Sequence, residues 1–293
     1  MSAIDQTLAR GPLLPVASTR RRRARSVRPT VALSALFAAF VALAALAPGL
    51  VTSQGPLTVH LSEGFQAPSL HHLFGTDQSG RDVYARVVYG TRESVLIGLG
   101  ATAVGLGVAA LLGVVAGLGG RVADGAINRL LEVLFAFPGL LLALLFVAIF
   151  GPGPGTEIVA VGLANAPGYA RMIRGQVLAV KGSGYVEASR VLGHSRARTI
   201  RRTILPNAAR PLVVLATLGV GQAIVWASAL SFLGLGVKPP APEWGAMLDA
   251  GRDYLQTAWW LTVFPGLAIV AFTLASTSLG RFFQQRLEGK LER

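Results

Sequence analysis

Five stretches of this 293-residue chain contain no Asp, Glu, Lys, Arg or His: Val31–Val51, Ser94–Leu118, Val133–Phe150, Pro211–Val237 and Tyr254–Gly280. A helix needs roughly 20 apolar residues to cross a hydrocarbon core about 30 Å thick. Each run meets or nearly meets that length, so membrane-spanning helices are the expectation. A sixth run, Ile158–Ala170, lasts 13 residues before Arg171 interrupts it. Only 14% of the residues are charged, against about 25% in a soluble domain. The predicted fold class is an all-α membrane protein with six transmembrane helices.

The basic residues orient the spans. With the N-terminus cytoplasmic, the inner segments are Met1–Thr30, Gly119–Glu132, Arg171–Arg210 and Arg281–Arg293, and they hold 22 of the 27 Lys and Arg. The segments Thr52–Glu93, Gly151–Glu157 and Lys238–Asp253 hold the other 5. Acidic residues divide 6 inside and 8 outside, as expected of a bias that follows Lys and Arg and not net charge. Without the Ile158–Ala170 span, a basic cluster would fall outside, so six spans with both termini inside is the better account. The formal charge of +13 thus needs no nucleic acid to explain it.

The organisation follows: 1–29 a basic cytoplasmic tail, 30–52 the first span, 53–92 an extracytoplasmic segment. Residues 93–282 form a five-helix core containing a loop at 181–210, and 283–293 a cytoplasmic tail. The first span resembles a signal peptide, with Ala45-Leu46-Ala47 after the apolar run. Pro48 directly after that site and the length of the run favour an uncleaved anchor. Arg20–Arg25 is placed against anionic headgroups, at about 1 kcal/mol per charge.

Several functions are excluded. There is no cysteine, hence no disulfide, thiolate metal site or cysteine nucleophile. Glu93, Glu132, Arg171 and Arg210 fall at predicted interfaces, which leaves no carboxylate or histidine inside a span for proton coupling. No phosphate-binding G-x-x-x-x-G-K-[ST] occurs, and Gly105–Ala110 mimics a dinucleotide loop only inside an apolar run. Those glycines, with Gly113 and Gly117, suit close helix packing. No catalytic, cofactor or metal site is expected, and uphill transport would draw its energy from elsewhere. His71-His72 read as surface residues, and Trp244, Trp259 and Trp260 as interfacial anchors. Pro138-Gly139, Pro167-Gly168 and Pro265-Gly266 interrupt three spans. They are open to two readings, as kinks that shape packing or, with Ser228 and Ser231, as pathway or hinge residues.

The loop 181–210 carries the most specific pattern. Its spacing predicts a helix over Tyr185–Leu192, a reversal at Gly193, a short basic helix over Ser195–Thr203 and a stop at Pro206. Glu187-Ala188-Ser189, three residues, Gly193, nine residues and Thr203-Ile204-Leu205-Pro206 resemble the EAA loop of ABC-importer permeases. Ser189 stands where that pattern has its second alanine, and Thr203 where isoleucine is usual. The resemblance implies a cytoplasmic coupling element that inserts into an ATPase subunit. Tyr185, Glu187, Ala188, Leu192, Gly193, Ser195, Leu205 and Pro206 are its candidate residues.

Phe74–Asp82, Pro167–Arg171, Leu205–Ala208, Ser231–Gly236 and Gly251–Tyr254 are likewise similar to the second permease of dipeptide, oligopeptide and nickel importers. That similarity implies a heterodimer with a homologous permease, two ABC ATPase subunits, an extracytoplasmic solute-binding protein, and a multi-pass location in the inner membrane. A secondary carrier or channel without an ATPase is the alternative.

Overall fold

The computed structural model describes residues 29–287. The basic tail predicted for 1–29, and the C-terminal tail beyond Leu287, lie outside the described residues, save that Pro29 opens the first helix. The described elements are helical: α1 Pro29–Leu46, α2 Val83–Leu118, α3 Arg121–Ala136, α4 Gly139–Phe150, α5 Pro154–Lys181, α6 Gly184–Val191, α7 Arg196–Thr199, α8 Leu205–Phe232, α9 Trp244–Arg252 and α10 Trp260–Leu287. A π-turn, Ile200–Ile204, joins α7 to α8.

Four helices (α1, α2, and the apolar parts of α8 and α10) are each long and apolar enough to cross a membrane. The α3–α4 pair makes a fifth if it counts as one span bent by 89°. Pro138 is the reason for that corner. It cannot continue the α3 hydrogen-bond ladder and holds Phe137 in an extended conformation (ψ 130°). Pro138-Gly139 therefore breaks the expected Val133–Phe150 span, whereas Pro167 and Pro265 sit inside continuous helices.

Helix ends run past the charge-free stretches where charges find partners. α2 begins at Val83 because Asp82 caps it, accepting from the Ala85 N–H at 2.8 Å. α5 continues through Arg171, whose guanidinium lies 4.1 Å from the Phe135 ring centre, and Arg174, which pairs with Asp124. The predicted stop at Pro206 is absent: the proline sits in the first turn of α8, which continues directly from the π-turn.

Backbone-to-backbone contact binds α2 to α5. A Cβ at Gly105 would stand 2.8 Å from the Gly162 carbonyl oxygen, and one at Gly113 2.7 Å from that of Ala170. Small residues thus set the interhelical distance, as they do where both helices lie in lipid. The apolar core has a central cluster around Ile97, Val147, Val161 and Leu230, and a second around Leu131, Ile173, Val177 and Val186. Leu36, Leu111, Leu145, Ile149 and Leu274 face outward, as expected of a surface bathed in hydrocarbon rather than water.

The helices place two irregular regions at opposite ends. One end, the cap, is built from 47–82 and 233–259. The other end, the knob, is built from 182–203.

Candidate functional site

The knob is a helix reversal whose geometry follows from single residues. Gly193 adopts φ +72°, its N–H donates to the Arg190 carbonyl at 2.9 Å, and His194 N–H donates to the Ser189 carbonyl at 3.2 Å. This pair of bonds closes α6 in a Schellman cap, which requires a left-handed residue at the glycine position. Ser195 then caps α7, accepting from the Arg198 N–H at 3.4 Å. Val186 is wholly buried and pins α6 to the bundle. Tyr185, Glu187, Ala188, Val191 and Leu192 are exposed, Leu205 is half-buried and Pro206 exposed. The surface offered is thus one acid, a ring of arginines and a few large apolar side chains.

Ser189, one of the two residues that depart from the resembled pattern, is buried and engaged. Its hydroxyl lies 3.1 Å from His194 Nδ1 and 3.2 Å from Thr199 Oγ1. The contact ties α6 to α7 across the glycine. Sequence reading passed over His194 and Thr199, because a lone histidine in a basic loop carries no signal of its own.

Three polar contacts tie the knob and α5 to the turn between α2 and α3. Lys181 Nζ donates to the Gly117 carbonyl at 3.1 Å, and Arg196 Nη2 to the Leu118 carbonyl at 3.3 Å. Arg174 holds Asp124 through two bonds of 2.5 and 2.6 Å, the fork geometry that suits a guanidinium and a carboxylate. Of these contacts Arg196 belongs to the knob, and Lys181 and Arg174 belong to the α5 end that leads into it.

The centre of the cap has the opposite chemistry: His72, Asp77, Asp82 and Glu243 are buried and paired, while Arg252 and Asp253 at its edge stay exposed. Asp77 Oδ1 accepts from the N–H groups of Ser79 and Arg81, and Oδ2 from Arg86 Nη1 at 2.6 Å. His72 Nδ1 lies 2.9 Å from Asp82 Oδ2. His72 is buried, contrary to its reading as a surface residue, because Asp82 gives its ring a partner. Trp244 and Trp260 are buried too, and do not act as interfacial anchors. Trp244 Nε1 donates to the Val87 carbonyl at 2.9 Å and Trp260 Nε1 to that of Thr76 at 3.0 Å. Trp259 is half exposed.

Two carboxylates lie inside the bundle where none was expected. Glu157, in the first turn of α5, has no exposed surface; Ser231 donates to its Oε1 at 3.0 Å, and its Oε2 has no partner. Glu243 caps α9 through the N–H groups of Gly245 and Ala246 and accepts from Ser94 at 3.0 Å. Glu93, placed at an interface by its position in the sequence, belongs to the same neighbourhood. Hydropathy along one strand of sequence cannot see that α5, α8 and the α9 cap converge there.

The candidate pathway residues scatter. Ser228 and Ser231 pack on Gly245 at the α8–α9 junction, where a Cβ on that glycine would come within 2.7 Å of both. Gly139 borders a cavity of about 70 Å³ with Val161, Asn165 and Trp226. Pro167 and Pro265 are buried, with Gly168 and Gly266 half-buried beside them.

The same architecture occurs in solved transporters. The chain matches the inward-facing MetNI methionine ABC transporter with a TM-score of 0.54 at 18% identity, covering 71% of this chain and 95% of that one. An amino acid ABC transporter matches at 0.51 and 19%, covering 65% and 91%. Sequence relatives are nearer. The dipeptide transport system permease protein DppC of Alkalihalophilus pseudofirmus is 39% identical over 83% of this chain and 80% of its own. The di/tripeptide permease protein DppC of Pseudomonas aeruginosa is 43% identical over 78% and 75%. The glutathione permease protein GsiD of Pectobacterium atrosepticum is 41% identical over 79% and 76%. Residues 109–291, which include the knob, match the family described as "Binding-protein-dependent transport system inner membrane component". With that match and relatives of this closeness, the chain belongs to the family of inner-membrane permease components of binding-protein-dependent ABC transport systems.

Proposed function

We propose that this permease imports short peptides and that its knob is the cytoplasmic coupling element. The observation that carries the reading is the Schellman reversal at Gly193, which holds Glu187, Tyr185 and Leu192 outward on a braced support. The peptide assignment rests on relatives named for dipeptides, di/tripeptides and glutathione.

Six spans then run as α1, α2, the bent α3–α4 pair, α5, α8 and α10, with both termini cytoplasmic and the cap extracytoplasmic. This assignment agrees with the excess of Lys and Arg at the knob end. The partners are a homologous permease in a heterodimer, two ABC ATPases at the knob and a solute-binding protein at the cap. ATP-driven closure of the ATPases moves α6, and the contacts of Lys181, Arg196 and Arg174 carry that motion to the α2–α3 turn. The helices tilt and the pathway opens outward; hydrolysis in the partner resets it. The chain itself hydrolyses nothing.

The test is peptide uptake and peptide-stimulated ATP hydrolysis by the assembled complex in vesicles. Glu187→Lys is expected to lower ATPase association at least tenfold, with the chain still inserted. Uptake that proceeds without an ATPase would instead make the protein a secondary carrier, and ATPase association and coupling unchanged in Glu187→Lys would overturn the knob as the coupling element.

A further inference from the structure

A small cavity in the cap is lined by Asp77, Gln78, Arg81, Arg86, Pro240 and Met247, among others. Two guanidinium groups meet there against one carboxylate. Asp77 is fully used by two backbone N–H groups, by Arg86 at 2.6 Å and by Arg81 at 3.6 Å. Asp82, beside Arg81 in the chain, is held by His72 at 2.9 Å and by the Ala85 N–H, and Asp249 and Asp253 lie 3.2 and 3.7 Å from Arg252. Arg86 is 5% exposed and spends Nη2 on the Pro240 carbonyl at 3.3 Å. Its Nε, like that of Arg81, is buried without a partner. A buried donor left unpaired is unfavourable, and with two guanidinium groups against one carboxylate the site holds a surplus positive charge and two unspent donors.

We propose that this cavity is a carboxylate-binding site, and that its occupant is an aspartate or glutamate side chain of the docked solute-binding protein. The inference rests on the proposed extracytoplasmic placement of the cap. An anion fits because a guanidinium presents its donors as a planar fork matched to two carboxylate oxygens. A side-chain terminus fits better than a transported solute because the free space is only about 30 Å³, where one water takes about 10–15 Å³ on this measure. The position fits as well: the cavity lies at the cap end, where the 77–81 loop and Pro239-Pro240 meet α9 and the first turns of α2 and α10. Arg81 keeps 17% of its side chain exposed and so is the residue an incoming acid meets first.

The experiment uses the assembled transporter in nanodiscs, with ATP hydrolysis read as purified binding protein is titrated in. Arg81 is the residue to change, since altering Arg86 would strand the buried Asp77. Arg81→Gln is expected to raise the half-saturating concentration about tenfold, and Arg81→Glu further, with the maximal stimulated rate retained. The wild-type half-saturation should also rise more steeply with salt than that of Arg81→Gln. An acid-to-lysine change on the binding protein that restores Arg81→Glu identifies the occupant. Unaltered half-saturation in both variants overturns the site while leaving the importer reading intact. A wild type that no binding protein stimulates overturns both. A variant defect that follows a free carboxylate on the solute, with binding-protein affinity unchanged, also overturns the assignment.

Discussion

The cap and the knob are both polar ends of one apolar bundle, yet they handle charge in opposite ways. In the cap, Asp77, Asp82, Arg86, His72 and Glu243 are buried, and each has at least one partner within 3.0 Å. In the knob, Glu187, Arg190, Arg198, Arg201 and Arg202 stand exposed. Buried partnered charges fix geometry, because breaking one strands the other in a poor solvent. Exposed charges on a short braced helix fix little and are free to meet another protein. The cap is therefore built to hold a shape and the knob to present a surface.

The sharpest way to break the comparison is at Asp77. Asp77→Ala leaves Arg86 buried, charged and without its carboxylate, which costs about 3–5 kcal/mol. Loss of the folded protein from the membrane, or a large fall in thermal stability of purified complexes, is the expected result. Glu187→Ala removes an exposed knob charge and is expected to change stability by less than about 0.5 kcal/mol. Equal stability effects of the two changes would remove the contrast.

Gly193→Val comes next. Its φ of +72° costs an ordinary L-residue about 1–2 kcal/mol, and a β-branched one gains nothing from the open space around it. The penalty falls on the knob alone. ATPase association should weaken about tenfold while the unfolding midpoint of the bundle stays put. A shift of the whole bundle's midpoint would mean that the knob is part of the folding core.

Much of this design is legible along the chain, and the remainder fails for a common reason. The apolar runs locate α1, α2, α8 and α10, and the spacing from Glu187 to Pro206 locates the knob. What escaped were side chains whose role depends on a partner far away in sequence. Trp244 looked like an interfacial anchor until Val87 supplied its acceptor, and His72 looked like surface until Asp82 supplied its partner. Glu157 sat beside an apolar run, and only the packing of α5 against α8 takes it inside. Pro138 marks an interruption in its span, but one residue does not state the angle of a corner. Local hydropathy reports where a helix runs; it does not report which neighbour neutralises a charge.

The smallest expected effect tests whether a buried carboxyl in the bundle is structural or functional. Glu157 has one oxygen bonded to Ser231, the other unpaired, and Glu243 within electrostatic reach. Glu157→Gln keeps the volume and an oxygen to accept from Ser231, while removing an ionisable carboxyl that lies within reach of Glu243. On these grounds the variant should be as stable as the parent or more so, by up to about 1 kcal/mol, with peptide uptake preserved. Glu157→Ala opens a void beside Ser231 and should lower stability by about 1–3 kcal/mol instead. Thermal unfolding of both variants in detergent, alongside uptake in vesicles, makes the distinction. If Glu157→Gln abolishes uptake while the protein stays folded, the carboxyl handles a proton or a cation during transport. The cap end of α5 would then belong to the translocation pathway.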